Sequence, residues 1–470
     1  MKKLYRYLIY ILPLVLCFSY YPLIKLGENE TMYFELSLPL LWLVAFDILA
    51  FVMICKKYRK ELFTKVFGSI LWWLFPIFVT LSVLWSLNTT RAILTVGLLW
   101  ALFFAVIGFW ELRENLDAKF WKIFWRWFFS SALFACAWCV VQCILDIVGV
   151  PQEASLLCDG CVYQMFGFPH PNGFAIEPQF MGNLLLAPVF VSLYFYFKNK
   201  DKKYLVLFAI FAAALFLTFS RGAIYACVVG LCFLFTFSYF RAKKAERKKV
   251  CFSILKTIGV FVVSFLFALN LQGILAASSP TSDTYGDGVA KVLNQLSLGV
   301  IDIRGSGNES SESETSGNEP VENSSEPVEN LGKTESAFDG YVAESTDTRV
   351  RLSKAAFDIW KKDFKTVMVG VGIGGAGQAL YDNGLSPAPR EIVQNEYMSL
   401  LLETGIVGVF LFLVILVLAV KTILKMGELS GMVLALLVAY GVTLLFFSGF
   451  PNAMQIILLP GLLVLICGKL

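Results

Sequence analysis

The side chains able to do chemistry in this chain are arginines, one carboxylate and an amide pair, all at the edges of apolar runs. Arg221 lies in LTFSRGAIYA, where two such runs meet, and Arg91 opens another in LWSLNTTRAILT. Arg349 and Arg351 precede a glycine-rich stretch, Gly370–Gly375. A guanidinium suits phosphate because its planar fork gives paired, charge-assisted hydrogen bonds and stays ionised when partly desolvated. Glu177, in GFAIEPQF, is a carboxylate at the start of another run. His170, in FPHPNGF, is the only histidine. Gln394 and Asn395 open the run VQNEYMSLLLETGIVG. Polar groups are costly beside hydrocarbon and tend to mark function there. Structural roles compete: Arg221 can snorkel to headgroups, Glu177 can serve a helix dipole, His170 can be a surface turn residue, and the glycines can form a plain turn rather than a phosphate cradle.

The composition says what must position these residues. Of 470 residues, 57% are hydrophobic and only 16% charged, against about 25% charged in soluble domains. Such a chain is an all-α polytopic membrane protein. Apolar runs of spanning length begin near Leu4, Tyr33, Phe67, Ala92, Ile123, Phe174, Tyr204, Ala223, Cys251, Asn395, Met432 and Ala453, predicting about twelve transmembrane helices. Every second connection carries Lys or Arg: Lys2–Arg6, Lys56–Lys65, Arg113–Lys122, Lys198–Lys203, Arg241–Lys249 and Lys421–Lys425. By the positive-inside rule these loops and both termini are expected in the cytoplasm. The net charge of +4, with no basic stripe, argues against a nucleic-acid partner.

The chain divides into helices 1–9 over 1–277, one large outer loop over 278–394, and helices 10–12 over 395–470. That loop carries a net charge of −8 against +12 for the rest. Residues 305–345, rich in Ser, Glu, Asn and Gly, repeat EPVEN at Glu319–Asn323 and Glu326–Asn330 and are expected to be disordered. Residues 346–394 are expected to fold, because Arg349–Thr366 has helical periodicity. Most cysteines sit in apolar runs as small hydrophobes. Cys158 and Cys161, in CDGC, lie in an outer loop as a local disulfide or two thiols, without further ligands spaced for zinc. Apart from Asp47, in mid-run, the charged and polar residues named above gather on the outer side, as a site for an anionic, membrane-presented substrate would require. A lipid diphosphate fits such a cluster.

Three signatures resemble the O-antigen ligase and O-antigen polymerase superfamily of bacterial envelope glycosyltransferases: SRGA at Ser220–Ala223; Arg349 followed by GVGIGG at Gly370–Gly375; and QNEYMSLLLETGIVGVFLF from Gln394. The resemblance covers nearly the whole chain, including one large outer loop before the third-last span. It implies a glycosyltransferase with neither metal nor cofactor, acting outside the cytoplasmic membrane. The implied donor is an undecaprenyl-diphosphate-linked oligosaccharide among the membrane lipids, and the implied acceptor is a glycan hydroxyl. Carried over, Arg221 and Arg349 bind the diphosphate, with Arg351 as the alternate register, and Arg91 and Asn395 join the substrate-binding set. Many relatives have His where this chain has Gln394, and an amide is no general base. Gln394 then orients the acceptor while Glu177, or His170, takes the proton. The missing His favours a polymerase or another envelope-glycan transferase over a ligase. The competing reading is a flippase or transporter of lipid-linked sugars, which calls for internal repeats; none relates the two halves.

Overall fold

The structure, a computed structural model, describes residues 1–18, 22–29, 32–58, 70–148, 164–165, 168–169, 171–175, 177–278, 284–297, 337–386, 388–389, 392–425, 427–447 and 454–467. His170, Cys158, Cys161 and residues 298–336 lie outside them. Each apolar run coincides with a helix. In order they are α1 (Lys2–Cys17), α2 (Leu38–Tyr58), α3 (Leu74–Ser82, with 3-10 turns at Ile70–Trp72 and Val83–Trp85), α4 (Thr89–Glu111), α5 (Ala118–Ile147), α6 (Pro178–Asn199), α7 (Lys202–Leu217), α8 (Arg221–Arg241) and α9 (Arg247–Ser278). The loop contributes α10 (Tyr285–Leu296), α11 (Ala337–Trp360), α12 (Phe364–Val369) and α13 (Ala376–Asp382), and α14 (Glu396–Leu424), α15 (Ser430–Thr443) and α16 (Met454–Cys467) close the chain. Seven helices are long and apolar enough to cross a membrane by length and composition.

Two boundaries differ from expectation. The first helix stops at Cys17, and Pro22–Asn29 pairs antiparallel with Met32–Ser37 before α2 begins. Lys25, Glu28, Glu30 and Glu35 are too closely spaced for an apolar span, and Pro22 is tolerated at a strand's first residue. In the loop, α11 begins at Ala337, inside the stretch read as low in complexity.

The central core surrounds α6, which is buried along almost its whole length and lies between α7, α8 and α15. Apolar packing extends outward to α1, α2 and α5, as Tyr5–Phe46 and Tyr10–Phe120 ring pairs show. Cys17, Cys136, Cys139, Cys143 and Cys227 are buried within the bundle. Asp47 lies half-buried midway along α2.

The bundle has two chemically distinct ends. At one, Arg6 meets Asp117 at 2.9 Å, Lys57 meets Glu114 at 3.5 Å, Lys200 donates to Ser253 at 3.1 Å and Arg241 to Ser430 at 2.7 Å. These are the Lys- and Arg-bearing connections of the charge alternation, brought together. The starts of α4, α6, α8 and α14 and the folded loop helices lie at the opposite end.

Candidate functional site

The local sequence explains how each helix start presents its side chains. Ser220 caps α8, its hydroxyl accepting from the Ala223 N–H at 3.4 Å. This sets Arg221 at the first helical position, half-buried. Phe219, with φ 50°, makes the reversal from α7. Gly222 is small because Phe446 and Gln179 press on it: an added Cβ would stand 3.2 Å and 3.3 Å from them. Pro178 follows Glu177 at the first position of α6, where its fixed φ suits a helix and its missing N–H costs nothing.

Glu177 occupies the N-cap position of α6, yet its side chain makes no cap hydrogen bond. The carboxylate is therefore not consumed in capping. The Glu177 side chain remains exposed to solvent. Surrounding protein pushes its pKa above the usual carboxylate value, and Arg349 pulls it partly back.

Arg349 owes its direction to α11. Leu352, Ala355, Ala356 and Ile359 form the helix's buried face, packed on Ala376, Ala379, Leu380, Val393 and Leu402. Arg349 lies one turn before Leu352 on this face and is half-buried, whereas Arg351 is rotated away and exposed. Its Nε donates to Gln394 Oε1 at 3.2 Å. Gln394 sits in the left-handed region at φ 58°, a conformation costing a non-glycine residue about 1–2 kcal/mol. Asn395 caps α14, its Oδ1 accepting from the N–H groups of Tyr397 and Met398 at 3.1 and 3.2 Å.

These contacts close into a ring. Glu177 lies near enough to Arg349 to feel its charge, and Arg349 donates to Gln394. Beside Gln394, the Glu396 N–H donates to Leu444 O at 2.9 Å. Two residues on, Phe446 O accepts from Gln179 Nε2 at 3.2 Å. Gln179 and Phe446 both press on Gly222, beside Arg221. The rim thus brings Arg221, Glu177, Arg349, Gln394 and Asn395 to one end of the bundle.

Arg91 goes elsewhere. Its electrostatic partner is Glu403, a residue the sequence reading passed over. Glu403 also accepts from the Ala376 N–H at 3.3 Å and from the Gly374 N–H. The glycine-rich turn is therefore a nest already filled by the chain's own carboxyl group, whose pKa burial raises and Arg91 and the two N–H groups pull partly back. Its remaining N–H groups are engaged too: Val371 with Leu402 O at 2.9 Å, Gly372 with Glu403 O at 3.0 Å, Ile373 with Ser82 Oγ at 3.2 Å and Gly375 with Gly372 O at 3.1 Å. Of the two readings of these glycines, the turn is the one the structure shows. Gly372 (φ 89°) is required because a Cβ there would collide with the Ser86 backbone. The signal available in the sequence was the spacing of Glu403 and Gly405 in LLLETGIVG beside a second glycine-rich stretch.

Among the described residues, no three His, Cys, Asp or Glu side chains stand together to hold a metal ion. A guanidinium beside a raised carboxylate, as Arg349 stands to Glu177, can bind an anion and accept a proton. Residues 206–413 match the family described as O-antigen ligase. The match runs from α7 through the SRGA reversal, Arg349 and the glycine turn into α14, and leaves Glu177 and Arg91 outside. None of the curated proteins matches the chain.

Proposed function

We propose that this chain, a member of the O-antigen ligase and polymerase superfamily, polymerises or transfers glycans from undecaprenyl diphosphate at the outer face of the cytoplasmic membrane. The observation that carries the reading is the ring joining Arg221 to Arg349 through Gln179, Glu177 and Gln394. In this scheme an acceptor hydroxyl attacks the anomeric carbon of the donor sugar. The bond from that carbon to the diphosphate oxygen breaks, and the electron pair leaves with the diphosphate. Arg221 and Arg349 neutralise the growing negative charge. The hydroxyl proton passes to Glu177, whose raised pKa brings it closer to neutral pH and so makes it a stronger base. Gln394 holds Arg349 and orients the acceptor. Arg351, on the exposed face of α11, takes no part.

The rim lies opposite the Lys- and Arg-rich end, which the positive-inside rule assigns to the cytoplasm. That supports an outward-facing site, with the Ile406–Leu424 part of α14 long enough to span about 29 Å.

The test supplies purified protein with an undecaprenyl-diphosphate oligosaccharide and a glycan acceptor and measures new glycosidic bonds. Arg221→Ala and Arg349→Ala should each lower transfer by about 10²–10³-fold with unchanged thermal unfolding. Wild-type transfer by either variant removes that arginine from the mechanism. Movement of the lipid across vesicles without bond formation would replace an enzyme with a flippase.

A further inference from the structure

Glu403 and Gln394 belong to one short piece of chain. The helix from Glu396 breaks at Gly405 (φ 61°, ψ −170°), so Asn395–Thr404 is a segment separate from the apolar span. Gln394 stands at its head and Glu403 at its base. The break opens the Leu402 and Glu403 carbonyls to partners outside the helix, and they accept from Val371 and Gly372. Gly405 permits this approach, since a Cβ there would collide with the Met368 backbone.

The second strut is α11. Arg349 stands midway along it, and its base runs through α12 directly into the glycine turn. The two struts touch at the Arg349–Gln394 bond and again at their bases, where Glu403 sits in the nest. The turn is also pinned to the α3–α4 junction. Ser86 Oγ donates to Ile373 O at 2.7 Å, the Leu87 N–H to Val371 O at 3.3 Å and Trp85 Nε1 to Val369 O at 3.3 Å. Ile373 is buried among Phe75, Val79, Ala92 and Val96.

We propose that Glu403 is a positioning residue that sets Arg349 against its partners, and that Arg91 serves to hold the Glu403 carboxylate in the nest rather than to hold substrate. The proposal rests on reading Arg349 as a diphosphate ligand. Its physical basis is leverage. From Arg349 to Trp360 the helix is about 16 Å long, so a tilt of about 5° at the base carries the guanidinium about 1.5 Å, and a misplacement of about 1 Å can cost about 10²-fold in rate. The carboxylate suits the nest because convergent N–H groups bind an anion more strongly than a neutral acceptor.

The test uses the full chain in lipid nanodiscs and compares wild type, Glu403→Gln, Arg91→Gln, Arg349→Ala and the Glu403→Gln/Arg349→Ala double variant. Glu403→Gln keeps the size and one acceptor oxygen while removing the charge, and Arg91→Gln removes the facing charge without touching the turn. Amide hydrogen exchange should quicken at residues 371–376 in both, with α6 and α8 unchanged. In transfer assays, kcat per folded molecule should fall at least about tenfold in Glu403→Gln, yet the double variant should be no slower than Arg349→Ala alone. Additive losses, or unchanged kcat and KM, overturn the positioning role, because a general loss of stability changes the amount of active protein and not its coupling to Arg349. Unchanged exchange in both charge variants overturns the clamp itself. If wild-type protein makes no glycosidic bond, the functional reading fails while the exchange result still decides the clamp.

Discussion

The rim around Glu177 and the clamp around Glu403 each set a carboxylate opposite an arginine, and they leave it in opposite states. At the clamp, the carboxylate receives two backbone N–H groups, and the neighbouring donors of the turn are bound to protein acceptors. At the rim, Glu177 occupies a cap position without making the cap bond and remains open to solvent. Arg349 is tied by one Nε bond to a neutral amide, which leaves its charge uncompensated at that contact. Residue type is therefore a poor guide to role in this chain. What separates structure from chemistry is whether the polar valences are closed by the fold or left for a partner.

That contrast gives sharp expectations. Glu177→Gln should lower glycosyl transfer by about 10²–10⁴-fold if it is the base, read as turnover per folded molecule; near-normal turnover would move the proton to the substrate's own phosphate. The pH dependence refines this. Glu177 works ionised, so transfer should fall as pH drops through its raised pKa. Because Arg349 holds that pKa down, the residual activity of Arg349→Gln should have its acidic limb displaced to higher pH; a limb that stays in place would uncouple the two groups.

At the clamp, Gly372→Ala should cost about 2–4 kcal/mol, from the left-handed backbone and the collision with Ser86. Thermal unfolding of the protein in detergent would show it as a lowered midpoint. The smallest effect is expected at Arg351. It is exposed on the far face of α11, so Arg351→Ala should change transfer by no more than about twofold, and a loss comparable with Arg349→Ala would reverse the assigned register.

Much of this was legible in the residues. Apolar length and the spacing of Lys and Arg were enough to place the helices and to group the connections by end, because both follow from local composition and the cost of moving charge through hydrocarbon. The SRGA and QNEY signatures marked helix starts at the rim. Ser220 and Asn395 proved to be caps, and Arg221 and Gln394 are the neighbours those caps present.

The remainder required tertiary structure. Whether Arg349 or Arg351 faces the rim depends on the rotational phase of α11, which is set by what Leu352 and Ile359 pack against and not by helical periodicity alone. The partner of the glycine turn, the pairing of Arg91 with Glu403 and the approach of Arg349 to Gln394 across 45 residues of sequence are all long-range contacts. Local sequence determines where a helix begins and what it can carry; only the closure of distant backbone segments on one another decides which charges are neutralised and which stay free to act.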